Sequence, residues 1–215
     1  RRMDPDHLST PDGARDARRK LPHITPLQSL YLADNIRHAA PDLVPSLVDQ
    51  FTALGGKDGF IPYRNHPPED SSMLASPYLA QLTWKVYQTT QDLKMLERAY
   101  PALIGYLKRW FSTAQDRDQD GSPEWSRPRQ TECSTHPTQP SSESWFHSPA
   151  IEYMESPALC ALLVKEIETL TDIAREIQDE PRVQPLSSRL DGLKRAINKS
   201  WNASLGRYQR WDRDS

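Results

Sequence analysis

The sequence predicts an all-α protein assembled from antiparallel helical hairpins. Apolar residues recur at steps of three and four over several long segments, which is the period of one helix face. No segment competes with this pattern through the apolar–polar alternation of a strand. Short connections alternate with long ones, so helices joined by a short connection are expected to run antiparallel.

Six helical segments are expected in one domain at residues 21–215, after a charged, mobile arm at 1–20. The fourth segment is the best marked: Asp92 should cap it, and its apolar stripe runs from Leu93 to Phe111. Ser76 should cap the third segment, with Pro77 at its first helical position. The expected segments are 26–40, 42–54, 76–90, 92–111, 156–177 and 186–201.

Two connections are long and polar, at 55–75 and 114–155, while the links "QTTQD" and "DEPRVQP" are short. One end of the helical array should therefore carry simple turns and the other end elaborate loops. Long loops on a packed scaffold usually carry function. Any chemistry is expected at this long-loop end.

Composition excludes several classes of partner. The 27 basic residues are balanced by 29 acidic ones, which disfavours nucleic acid or an anionic membrane as the main partner. No apolar run reaches the length of a membrane span, and the first residues lack the apolar core of a signal peptide. The two cysteines, Cys133 and Cys160, do not form a disulfide framework, so a cytoplasmic location is the default expectation.

The stretch "DRDQDGSPEW" (116–125) has the spacing of a calcium loop. Its aspartates occupy positions 1, 3 and 5 of an EF-hand-like loop, with Gly121 at position 6, and carboxylate oxygens at this spacing suit Ca²⁺. Arg127 replaces the usual glutamate at position 12, so a solvated acidic turn is the alternative. The candidate ligands are Asp116, Asp118, Asp120, the Ser122 carbonyl and Glu124.

Two tryptophans are candidates for sugar binding. Trp125 follows the acidic stretch directly, and Trp84 lies on the third helical segment. An aromatic face can stack on a sugar ring. For both residues, packing into the helical core is the alternative.

Three stretches carry a family resemblance: "SPYLAQLTWKVYQTTQDLKMLERAYPALIGYLKRWF" (76–111), "DRDQDGSPEW" and "ESPALCALL" (155–163). They resemble the (α/α)6-toroid glycoside hydrolases of the processing α-glucosidase, trehalase and glycogen-debranching type. The tail "INKSWNASLGRYQRWDRD" (197–214) also resembles the passage by which those enzymes enter the next hairpin. The resemblance implies a ring of helical hairpins of which this chain would form about half, with the rest of the ring or another copy as partner.

The resemblance also implies an inverting acid/base mechanism on α-linked glucosides or oligosaccharides. Two carboxyl groups about 6.5–9.5 Å apart would flank the bond, one as acid and one as base. Thr135 stands where the family places its aspartate acid, so Glu132 and Glu143 are substitute candidates and His136 a further donor or sugar contact. The family's base lies in later hairpins. Some relatives bind calcium in a comparable loop, which makes Glu155 a candidate to complete the shell.

Two functions therefore stay open. The first is a glycoside-hydrolase-like domain that cleaves α-glucosidic linkages when the ring is complete. The second is a non-catalytic helical module that binds calcium, carbohydrate or both, with a degenerate acid position.

Overall fold

A computed structural model describes residues 23–65, 72–132, 151 and 153–212. The expected arm at 1–20 lies outside these residues. Within them the chain is all-α apart from four two-residue strands. The helices are α1 (Pro26–Ile36), α2 (Val44–Thr52), α3 (Leu79–Thr90), α4 (Leu93–Trp110), α5 (Pro157–Glu176), α6 (Glu180–Ser187) and α7 (Leu190–Lys199).

The helices pack in two layers, which confirms the hairpin architecture. In one layer α3 lies between α1 and α5, and in the other α4 lies between α2 and α6, while α7 packs on α5. The core between them is continuous and includes Phe51, Leu82, Leu103 and Leu163, none of which is exposed. Burial of such side chains is the main source of stability, at about 25 cal/mol per Å² of apolar surface.

Helices α1, α4 and α5 follow their sequence signals closely. Asp92 caps α4 by accepting a hydrogen bond from the Met95 N–H at 3.1 Å, as the sequence predicts. In the capping box of α1, the Thr25 side chain accepts a hydrogen bond from the Gln28 N–H, and the Gln28 side chain accepts one from the Thr25 N–H. The apolar residues that recur along one face of α5 are all buried: Leu159, Leu163, Ile167, Leu170 and Ala174.

The predicted start of the third helix is wrong. The helix α3 begins at Leu79, and Tyr78, not Ser76, is its N-cap residue. The Ser76 hydroxyl is used elsewhere, since it donates to the Gln130 carbonyl at 2.8 Å. The cap comes from the middle of α5: the Glu166 carboxylate accepts from the Ala80 N–H at 2.8 Å and the Gln81 N–H at 3.0 Å.

The predicted link at 179–185 and the sixth helix at 186–201 also need correction. The link is itself helical, as α6, and the last helix α7 is shorter than expected. Pro181 stands in the first turn of α6, where a backbone N–H has no partner within the helix. A proline in that position is therefore compatible with a helix, although the sequence pattern suggested a connection.

The structure also contains four two-residue strands that the sequence pattern does not mark. Strand β1 (Met154–Glu155) pairs antiparallel with β4 (Trp211–Asp212), and β2 (Trp201–Asn202) pairs with β3 (Arg207–Tyr208). Strands of two residues are too short to show a period of two. An isolated bridge between Glu124 and Glu155 adds the acidic loop to the β1–β4 pair.

Candidate functional site

The long-loop end gathers the segments that precede α1, α3 and α5. The Ile24 N–H donates to the Asn65 side-chain oxygen at 3.1 Å, which ties the start of α1 to the loop before α3. The Gln130 side chain donates to the Leu74 carbonyl at 2.9 Å, which ties that loop to the loop before α5. These long-range bonds fix the loops on the helical scaffold.

The three aspartates of the acidic loop converge. One carboxylate oxygen from each of Asp116, Asp118 and Asp120 lies within 4.8 Å of the others. Asp116 is buried, at 2% exposure, whereas the other two are exposed. The turn depends on Gly121, whose φ of +94° strongly favours glycine. The Asp120 carboxylate also accepts from the Ser122 N–H at 2.7 Å.

Glu155 lies beside this cluster with an unused oxygen. Its residue is 2% exposed, and its Oε2 atom is buried with no hydrogen-bond partner. The Trp211 side chain supplies a hydrogen bond to the carboxyl group. Burial, together with the charges of Asp120 and Asp118, raises the pKa of Glu155 to about 8. A buried carboxyl repelled by neighbouring carboxylates lacks the positive charge that would normally compensate it.

This donor set fits a hard divalent cation. Carboxylate oxygens from Asp116, Asp118 and Asp120 are of the kind that Ca²⁺ prefers, and Glu155 offers an unpartnered oxygen. Glu124 is also buried, and one of its oxygens accepts from the Arg117 N–H at 3.3 Å. Sequence spacing identifies the loop, but only the fold brings Glu155 to it.

The two candidate sugar-binding tryptophans differ in exposure. Trp125 is 2% exposed, and its ring meets Trp110 edge-on at 5.8 Å and 89°. Little of its indole surface is left for a sugar ring. Trp84 is half-buried and lies 5.4 Å from the Tyr87 ring.

Glu132 is the catalytic candidate that the structure describes. It follows a 3-10 turn (Pro128–Thr131) and has a φ of +59°, which is uncommon for a residue with a side chain. Its carboxyl group forms hydrogen bonds with the hydroxyls of Thr25, Ser76 and Tyr63. Burial raises the pKa of Glu132, while these bonds and the charge of Arg64 lower it. Sequence reasoning missed Thr25, Ser76 and Tyr63 because no local spacing connects them to Glu132.

Thr135, His136 and Glu143 lie outside the described residues, as does Cys133. Cys160 is a free, buried thiol, and burial raises its pKa to about 12. In the described part of the chain, no helix is both long and apolar enough to cross a membrane.

The helical hairpins, with long loops at one end, are the arrangement expected of a partial (α/α)6 toroid. The family model of the mannosylglycerate hydrolase MGH1-like glycoside hydrolase domain matches residues 21–215. The chain therefore belongs to this glycoside hydrolase family.

Comparison with solved structures returns the α-L-rhamnosidase from Dictyoglumus thermophilum, with a TM-score of 0.47 and 16% sequence identity. That similarity covers 77% of this chain and 18% of the rhamnosidase chain. The chain thus spans about a fifth of the length of that enzyme. No curated protein sequence matches the chain significantly.

Proposed function

We propose that the chain forms part of an inverting glycoside hydrolase that acts on α-linked glucosides or short oligosaccharides. The observation that carries the proposal is family membership over residues 21–215. The family's name adds mannosylglycerate to the substrates worth testing. The loops at 55–75 and 114–155 would form the rim of the sugar site, with Trp84 and His136 as candidate contacts. Trp125, whose ring is buried against Trp110, would support the loop instead.

Inverting hydrolysis needs a carboxylic acid and a carboxylate base on opposite sides of the bond. Glu132 and Glu143 are the candidate acids in this chain. The resemblance places the base in later hairpins of the ring. The isolated chain should therefore bind sugar weakly and leave it uncleaved.

A panel of glycosides tests this function. We expect no turnover of α-glucosides, α-mannosides or mannosylglycerate by residues 21–215 alone. A polypeptide that also supplies the later hairpins should release a product of inverted anomeric configuration, which proton NMR detects directly. Turnover by the isolated chain, or a product of retained configuration, would contradict the proposal.

The alternative is a non-catalytic module that binds calcium, carbohydrate or both. Thr135, which stands at the position of the family acid, favours it. Binding of an oligosaccharide in isothermal titration, without turnover by the complete polypeptide, would support this alternative.

We further propose that the acidic loop holds a structural Ca²⁺ ion. Asp116, Asp118, Asp120 and Glu155 would supply carboxylate oxygens, with Glu124 and the Ser122 carbonyl as further ligands. The support is the convergence of the three aspartate carboxylates on one another, together with the buried, unpartnered oxygen of the neighbouring Glu155. A bound cation would compensate these charges and join the loop to β1.

Calcium should raise the melting temperature of the wild-type chain, and Asp116→Ala with Asp118→Ala should abolish that increase. Glu155→Gln should reduce it as well, because the amide is a weaker ligand for a hard cation. Asp42→Asn is the matched control, since Asp42 is an exposed acid outside the acidic loop. Differential scanning calorimetry with excess Ca²⁺ and with a chelator measures the effect. A calcium response that survives in the double variant would rule out this site.

A further inference from the structure

Three hydroxyl groups surround the Glu132 carboxyl at the long-loop end. They belong to Thr25 at the N-cap of α1, Tyr63 in the loop before α3, and Ser76 shortly before that helix. All three residues are buried, with exposures of 1%, 4% and 0%. A carboxyl group held by three buried hydroxyls from separate segments has a fixed position.

Two of these hydroxyls already have a carbonyl to donate to. The Ser76 Oγ atom lies 2.8 Å from the Gln130 carbonyl oxygen but 3.2 Å from Glu132 Oε1. The Tyr63 hydroxyl donates to the Arg129 carbonyl at 2.9 Å. Each hydroxyl carries a single hydrogen, so it cannot donate a full hydrogen bond to both a carbonyl oxygen and an ionised Glu132 carboxylate.

A proton on Glu132 reduces this shortage of hydrogens. The carboxylic acid can then donate to the oxygen of Ser76 or Tyr63, and that hydroxyl keeps its bond to its carbonyl. The Thr25 oxygen accepts from the Gln28 N–H at 3.3 Å, and its hydroxyl hydrogen can be donated to the other carboxyl oxygen. Protonation thus supplies a hydrogen to one of the two contacts that an ionised Glu132 leaves without one.

We propose that Tyr63 or Ser76 accepts a hydrogen bond from a protonated Glu132, so that this carboxyl stores a transferable proton at the long-loop end. Tyr63 and Ser76 are then positioning residues, and Glu132 is the proton donor. The catalytic use of that proton rests on the proposed function, whereas the protonation state itself does not.

The charges around the cluster act in opposite directions. Arg64 favours the ionised form, and its guanidinium carbon lies 6.0 Å from the centre of the Tyr63 ring. Burial is the largest influence on Glu132, and it favours the neutral acid. Tyr63 cannot take over as the ionised group, because burial and the adjacent Glu132 carboxyl raise its pKa strongly. The neutral acid is therefore consistent with both the hydrogen-bond pattern and the burial.

In hydrolysis the stored proton would move from Glu132 to the leaving glycosidic oxygen as the bond between that oxygen and the anomeric carbon breaks. A water molecule would add to the anomeric carbon and give its proton to a second carboxylate, supplied by the later hairpins. Glu132 would remain as a carboxylate until solvent returns a proton. This would provide the acid step even though Thr135 has no useful acidity.

NMR titration of the glutamate side-chain carboxyl carbons tests the protonation state without any substrate. The Glu132 signal is assigned by its loss in Glu132→Gln, and its midpoint should lie above the ordinary value for glutamate. Of the variants Tyr63→Phe and Ser76→Ala, the one that removes the acceptor of the acid proton should lower that midpoint. Thr169→Val is the control, since it removes a buried hydroxyl bonded only to the Lys165 carbonyl, at 2.8 Å.

The direction of the shift decides the outcome. If Tyr63 and Ser76 donate to an ionised carboxylate, their removal will raise the midpoint and the proposal is wrong. Glu132→Gln should also leave the melting temperature at pH 7 unchanged, because the amide resembles the neutral acid; a clear decrease would contradict us. If the titration behaves as expected but the complete polypeptide cleaves no glycoside, only the proposed function fails.

Discussion

Replacing Glu166 by alanine should destabilise the protein by about 3–5 kcal/mol, because it leaves several buried hydrogen-bond donors unpaired and opens a cavity. Its carboxylate is fully buried. It accepts hydrogen bonds from the backbone N–H groups of Ala80 and Gln81 and from the Gln81 side-chain amide. Alanine would leave these donors without a partner inside the core, next to a cavity. Since small domains are stable by only about 5–15 kcal/mol, this loss would remove a large part of the protein's stability.

Urea unfolding measures this loss, and Glu168→Gln is the matched control on the same helix. Glu168 forms an exposed ion pair with Lys194 at 2.9 Å, and such pairs contribute at most about 1 kcal/mol. A loss below that value in Glu166→Ala would show that the N-terminus of α3 does not depend on Glu166.

The same carboxyl predicts a dependence of stability on pH. Burial raises the pKa of Glu166 to about 7, although hydrogen bonds to the start of α3 oppose the shift. A raised carboxyl pKa means that the folded state keeps a proton that the unfolded chain loses, so this stabilisation declines as the pH rises from about 4.5 to about 7. The decline should be on the order of 3 kcal/mol and should be absent in Glu166→Gln. Identical pH slopes in both proteins would contradict the assignment.

Gly59→Ala should be the second strongly destabilising change. Gly59 has a φ of +80°, and a Cβ atom there would lie 2.1 Å from the Gly105 carbonyl oxygen in α4. The left-handed backbone alone costs about 1–2 kcal/mol with a side chain. Because the obstructing atom belongs to the backbone, the loop must also move away from α4, and we expect a total loss of about 3 kcal/mol or more.

Substitutions at two other glycines distinguish the cost of the steric contact from the cost of the backbone strain. Gly121 has a φ of +94° with nothing within 4 Å of an added Cβ, so Gly121→Ala should show the strain alone. A Cβ on Gly105 would meet only the Gly59 Cα at 3.4 Å, and alanine favours the helix, so Gly105→Ala should be nearly neutral. Urea unfolding of the three variants gives the comparison. Equal losses for Gly59→Ala and Gly121→Ala would contradict the proposed contact.

The helices that the sequence predicts well are those whose signals are local. The α4 helix has a side-chain cap at Asp92 and a continuous apolar stripe within one segment. The start of α3 could not be predicted in the same way, because its cap, Glu166, lies 86 residues from Ala80. Likewise, prolines mark both helix starts and connections, so the sequence predicts a link where α6 forms.

The residues of the candidate site likewise divide into those that local sequence signals predict and those that only tertiary packing brings together. The spacing of Asp116, Asp118 and Asp120 predicts a convergent acidic loop, because side chains at alternate positions of a tight turn lie close together. Spacing cannot predict that Glu155 reaches the loop, or that Tyr63 and Ser76 surround Glu132, because only tertiary packing joins these segments. Membership of the family confirms the glycoside hydrolase resemblance, while the α-glucosidase type stays a prediction.

The pairing of β1 with β4 affects how the acidic loop is completed during synthesis. Glu155 and Trp211 are partners in this pair, so one neighbour of the acidic loop comes from near residue 211. On the ribosome the helices α1–α5 can pack while that segment is still inside the exit tunnel. The loop would spend this interval without its last strand, and we expect proteases to cut it more readily then than in the complete domain.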